Sequence, residues 1–154
     1  MVRKMERKER LLKFLAFLKD RINFVFNKNN FEDRVKLQKY VRIAESCGLN
    51  LGYKFNLYLR GPYSPDLAND YYELSLPVSD SVRFDYDDFN AERFLKIVKD
   101  RDLLWLEIAS TILSVEENNP QISEDRLIAI VAEIKGVEKS KVEKILSELK
   151  FAMN

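Results

Sequence analysis

"YKFNLYLRGPYSPDL", residues 53–67, changes its backbone habit twice within a short span. Tyr53, Phe55, Leu57 and Leu59 alternate with Lys54, Asn56, Tyr58 and Arg60, the period of a strand with one buried face. Gly61 permits a backbone angle that other residues avoid, and Pro62 fixes its own. Ser64 then sets a capping hydroxyl before Pro65, a residue suited to the first turn of a helix, and Asp66 brings negative charge to the positive helix end. The stretch reads strand, turn, helix. Leu67, Tyr71 and Leu74, at i, i+4 and i+7, carry that helix over about 65–75, where Pro77 closes it. Tyr63 has no duty in the turn itself, which leaves it either as an aromatic anchor for an interface or folded back on the core.

Working outward, residues 3–22 place Leu11, Leu15, Leu18 and Ile22 on one face of an amphipathic helix. After the polar break "FNKNN", Asn30 can cap a second helix whose first turn holds Glu32 and Asp33. Leu37, Tyr40, Val41, Ala44 and Cys47 form its stripe, and Gly48 suits its left-handed end. Downstream, Val82, Phe84 and Tyr86 alternate with Arg83, Asp85 and Asp87, which predicts a partner for the 53–60 strand. A two-stranded ribbon is marginal alone and must lie on helices. Helices follow over about 90–99, over 102–115 with Trp105, Ile108, Ala109 and Ile112 as its apolar face, and over 124–135 between Ser123 and Gly136. Ser140 and Glu143 make a capping box for the last helix, striped by Val142, Ile145, Leu146 and Leu149. The expected fold is mostly α (α+β): a helical domain with a two-stranded antiparallel β ribbon, loosely winged-helix-like. It is one domain over 1–154, with a ribbon-bearing lobe over 1–88 and a C-terminal helical lobe over 89–154 packed on it.

The chain has 154 residues, 46% of them hydrophobic, and no apolar run of membrane-spanning length, which points to one soluble domain. The basic start "MVRKMERKER" lacks the apolar region of a secretory signal, so the mature chain is expected to start near Met1. Cys47 is the single cysteine, so no intrachain disulfide is expected and a reducing cytoplasm is the simplest compartment. Few glutamines and abundant Lys, Arg and Glu are compatible with a thermophile source. Net charge is +1, yet residues 1–60 hold 15 Lys and Arg against 6 Asp and Glu (+9), and residues 61–154 hold 11 against 19 (−8). Such asymmetry fits halves that pair with each other, solvated faces, or a footprint for nucleic acid or an acidic partner.

The absence of histidine removes Cys-His and Ser-His-Asp catalysis and most zinc sites. Cys47 belongs to an apolar stripe, with no partner in view to activate it. Asp66, Asp70 and Glu73 share one helical face, either as a Mg²⁺ cradle or as a solvated acidic surface. "AEIKG", residues 132–136, imitates a nuclease Glu-x-Lys element, but Leu127, Val131 and Ile134 give its surroundings a helical period. Residues 126–150, "RLIAIVAEIKGVEKSKVEKILSELK", have the layout of a helix-turn-helix. The second helix there offers Lys141, Lys144 and Lys150 among Glu143 and Glu148, which suits phosphates better than base edges. No enzyme, metal or cofactor is expected from these residues.

Residues 35–74, "VKLQKYVRIAESCGLNLGYKFNLYLRGPYSPDLANDYYEL", resemble the YwgA-like family of small bacterial and archaeal proteins, related in turn to SocA-like, or Panacea, antitoxin domains. The resemblance lies in "KLQKYV", "YKFNLYL" and "GPYSPDLANDYYEL", and more loosely in "WLEIASTIL" ahead of two terminal helices. It implies action by protein contact, such as neutralising a toxin or delivering a client to a protease. Arg60, Gly61, Pro62, Tyr63, Ser64, Asp66 and Asp70 are the partner-binding candidates it carries over. The expectation is a non-enzymatic protein-interaction module, antitoxin-like or adaptor-like. The alternative is a winged-helix-like DNA-binding regulator using Arg3, Lys4, Arg7, Lys8 and Arg10 of the first helix with Lys141 and Lys144 of the last.

Overall fold

The computed structural model describes residues 4–58, 60–75 and 88–154. Among these the chain is mostly helical: α1 (Lys4–Ile22), α2 (Phe31–Ser46), β1 (Asn56–Tyr58), β2 (Gly61–Tyr63), α3 (Pro65–Glu73), α4 (Ala91–Val98), α5 (Leu103–Asn118), α6 (Glu124–Lys135) and α7 (Lys139–Met153). No described helix is long and apolar enough to cross a membrane.

α5 is the axis. Every residue from Trp105 to Val115 is buried, as expected of a helix apolar on nearly all sides and surrounded by others. Asp102 caps it by accepting from the Trp105 amide at 2.8 Å. α2 and β2 pack on α5 and on each other, α6 and α7 likewise, and α4 lies against α7. The α1 stripe of Leu11, Leu15 and Leu18 is fully covered, with Phe14 and Phe17 set against Phe94 of α4. α1 also lies along α3.

The caps follow the sequence closely. The Asn30, Ser64 and Ser123 side chains accept from the amides of Asp33, Leu67 and Arg126, and Gly136 ends α6 in the left-handed region. Gly48 follows the Cys47 C-cap at φ +95°, where a Cβ would meet the Asp88 carbonyl oxygen at 2.0 Å. Only glycine lets α2 end against that backbone. The capping box does not form: α7 begins at Lys139, its cap is Glu138, and no side chain closes it. α7 is held instead by its buried stripe of Val142, Ile145, Leu146, Leu149 and Ala152.

The ribbon is shorter and more local than the alternation predicts. β1 pairs antiparallel with β2 in the register Asn56 to Tyr63, Leu57 to Pro62 and Tyr58 to Gly61. The turn stretch itself therefore supplies the second strand. Val82, Phe84 and Tyr86, expected in that place, lie outside the described residues, as do Leu59, Pro77 and Arg3. β1 is exposed throughout, while Gly61 and Pro62 of β2 are buried. The alternation governs burial only at its start, where Tyr53 is buried and Phe55 partly so, because β2 rather than β1 is the strand laid on α5.

Candidate functional site: a cationic aromatic groove beside the hairpin

α2 grips the hairpin with two adjacent polar side chains. Gln38 donates from Nε2 to the Ser64 carbonyl at 3.0 Å, and its Oε1 accepts from the Ser64 amide at 2.8 Å. It acts as a substitute strand neighbour. Lys39 donates from Nζ to the Pro62 carbonyl at 2.6 Å. Beneath them, Gly61 (φ +96°) lies so close to α5 that a Cβ would stand 2.8 Å from Thr111 Oγ1. The Gly-Pro segment is thus fixed by a backbone angle and by side chains of two helices.

A charged cluster lies at this junction. Glu107, 5% exposed on α5, accepts from Lys135 Nζ at 2.7 Å and stands 3.8 Å from the Arg60 guanidinium. Lys39 is only 1% exposed. Burial lowers its pKa from the ordinary lysine value to about 7; nearby Lys135 and Arg60 act in the same direction and Glu107 opposes them. Lys135 is the lysine of "AEIKG", and its role here is to close an ion pair between α6 and α5. Glu133 points to solvent from the same helix.

Above this cluster opens a groove of about 580 Å³ between α2, the hairpin and α3. Phe31 (52% exposed), Tyr58 and Tyr72 (each 49%) stand at its rim. The Arg60 guanidinium lies 4.9 Å from the Phe31 ring centre, and that of Arg34 lies 5.7 Å from Phe31 and 6.0 Å from Tyr72. Tyr58 meets Tyr63 edge to face at 5.5 Å. Lys39, Gly61 and Tyr63 line the interior. Among the described residues lining it there is no carboxylate.

The candidates carried by the resemblance divide between groove and frame. Arg60 and Tyr63 face the groove, with Gly61 behind them. Gly61, Pro62, Ser64 and Asp70 are buried, so their part is to hold the backbone in place. Asp66 and Asp70 turn toward α1: Asp70 Oδ2 accepts from Tyr53 Oη at 2.7 Å and from Arg7 Nε at 3.2 Å. Asp66 lies 3.6 Å from Arg7, and Lys8 pairs with Glu73. The acidic face of α3 is therefore mixed: Asp66 and Glu73 are solvated and also paired with α1, while Asp70 is buried, and no cluster of metal-ligating side chains occurs among the described residues. Tyr53 has its pKa raised by burial and then by its bond to Asp70.

The same kind of pairing offsets part of the charge asymmetry. Arg7, Lys8, Arg42 and Arg60 of the basic half meet Asp66 and Asp70, Glu73, Glu117 and Glu107 of the acidic half. Arg10 donates to the Asn50 carbonyl, and Lys4 opens α1. Lys141 and Lys144 are exposed on α7. The hairpin and the α6–α7 pair both pack on α5, and Arg60 beside the hairpin and Lys135 of α6 meet at its Glu107. Cys47 is buried, and burial raises its pKa to about 11, which keeps it a thiol and suits a core residue.

Sequence reasoning passed over Gln38, Lys39, Glu107 and Arg34. One signal pointed to Glu107: it is the lone charge in the otherwise uncharged run 103–115. Gln38 and Lys39 gave none, because they fall on the side of the α2 stripe that a two-layer helix would leave to solvent. No protein-family profile, curated protein or solved structure matches the chain.

Proposed function

We propose that this protein is a non-enzymatic protein-interaction module, antitoxin-like or adaptor-like in the sense its YwgA-like resemblance implies, and that it meets its partner at the groove between α2 and the hairpin. The observation that carries this reading is the groove's rim. Phe31, Tyr58 and Tyr72 expose half their surface beside two guanidinium groups, and large aromatics with arginine are the residues that dominate protein interfaces. The supporting frame is rigid: Gln38, Lys39 and Thr111 leave the hairpin little freedom, so binding orders few groups.

The DNA-binding alternative draws on Lys141 and Lys144, since Arg7 and Lys8 are engaged by acids of α3. Affinity capture from nuclease-treated native lysate separates the two. The unaltered chain should retain a protein that Arg60→Ala with Tyr72→Ala loses and that Lys141→Ala with Lys144→Ala keeps. Recovery, without nuclease, of nucleic acid that depends on Lys141 and Lys144, with the groove variant unaffected, would overturn the proposal.

A further inference from the structure

The charges at the base of the groove do not balance. Lys135 and Arg60 flank the Glu107 carboxylate at 2.7 and 3.8 Å, and Lys39 makes a third cation of the same cluster. Among the described residues, three cations to one carboxylate leave two positive charges in excess when all are ionised, and Arg34, which also donates to the Lys28 carbonyl, adds another at the rim. Arg60 is half exposed, but at the buried Lys39 and Lys135 such an excess is costly, because a low-dielectric surrounding screens it poorly. The lowered pKa of Lys39 is one symptom: the amine can lose its proton. An arriving anion would relieve the same imbalance. The walls beside these cations are apolar and aromatic, formed by Val35, Tyr58, Tyr63 and Tyr72.

On the reading of the groove as a protein contact, we infer that its occupant is a short acidic segment of the partner, in which a carboxylate lies against Arg60 and Arg34 while a neighbouring apolar side chain fills the space between Tyr58, Tyr63 and Tyr72. The carboxylate restores the missing negative charge, and guanidinium groups suit it by their paired donors. Single-stranded nucleic acid, the other anion that seeks aromatics and arginine, fits less well. Its bases need open ring faces to stack on, whereas the Arg60 and Arg34 guanidinium groups already lie over Phe31, and Arg34 lies over Tyr72. The groove is also a local hollow rather than a track along which a strand could run.

The test is a selection of random short peptides, displayed on phage, against the full chain, with the Tyr72→Ala variant as counter-selection. The best peptide is then titrated calorimetrically, beside a version whose acids are replaced by their amides. A single-stranded oligonucleotide is titrated in parallel. The expected peptides pair Asp or Glu with an aromatic or aliphatic residue, lose at least tenfold in affinity as the amide form and with Arg60→Ala, and weaken as salt rises. Peptides that depend on Tyr72 but bind equally well as amides would overturn the acidic-segment inference and leave the protein-contact reading standing. No peptide dependent on Tyr72, or an oligonucleotide bound through Arg60 and Tyr72 in place of any peptide, would overturn both.

Discussion

Two cationic regions of this molecule are built from similar residues and end in opposite conditions. On α1, Arg7 and Lys8 face Asp66, Asp70 and Glu73 of α3, so cations and carboxylates meet in near-equal number. Across the hairpin, Lys39, Lys135 and Arg60 share Glu107 as their one carboxylate among the described residues, and Arg34 stands over aromatic rings. Both regions look basic in the sequence. The first is a closed seam between helices, the second an open groove with charge in excess, and only charge in excess of its internal carboxylates remains for a ligand.

The comparison breaks most visibly at Glu107. Glu107→Gln keeps the shape but leaves the buried Lys135, and Arg60 beside it, without a counter-charge, and should cost about 3–5 kcal/mol in a denaturant titration. The equivalent loss on the seam should be smaller, because Arg7 retains Asp66 when Asp70 is changed. Next in size is a pH effect. The folded-state pKa of Lys39, about 7, lies below its unfolded value, so the cost of the buried ammonium is fully present below that pH and fades as pH rises toward the unfolded pKa. Relative to Lys39→Met, the unaltered chain should therefore gain roughly 2–3 kcal/mol between about pH 6 and about pH 9. Equal pH profiles for the two proteins would show that Lys39 does not titrate in that window.

Gly61→Ala should cost about 2–3 kcal/mol, since it combines a φ of +96° with a Cβ placed 2.8 Å from Thr111 Oγ1. Its thermal midpoint would fall even though Arg60 and Tyr72 are untouched. A double-mutant cycle on Arg7 and Asp70 should give a coupling of about 1–2 kcal/mol, because Asp70 is fully buried. The same cycle on Lys8 and Glu73, both partly exposed, should give under about 0.5 kcal/mol. As small again, Arg60→Ala with Tyr72→Ala should leave stability within about 0.5 kcal/mol of the unaltered chain, so that any loss of partner reports the groove and not the fold.

How much of this could be read in advance depended on how local the cause was. The caps at Asn30, Ser64 and Ser123 and the left-handed ends at Gly48 and Gly136 were legible because each is decided within one helical turn. Tyr63 and Arg60 were legible as candidates from the turn and the resemblance. The hairpin register was not: a period of two says that a strand exists but not which neighbour completes it. The groove's cations were hidden for a related reason. Lys39 and Lys135 resemble solvated helix residues until α5 places Glu107 between them.

By itself the sequence determined a mostly helical chain, the order of its helices, and a strand and turn leading into α3, since these follow from periodicity, caps and backbone angles that each segment carries within itself. Only the tertiary structure decided which charges cancel and which remain. That outcome depends on distances between residues far apart in the chain, such as Arg7 to Asp70 and Glu107 to Lys135, and on how much water is left between them.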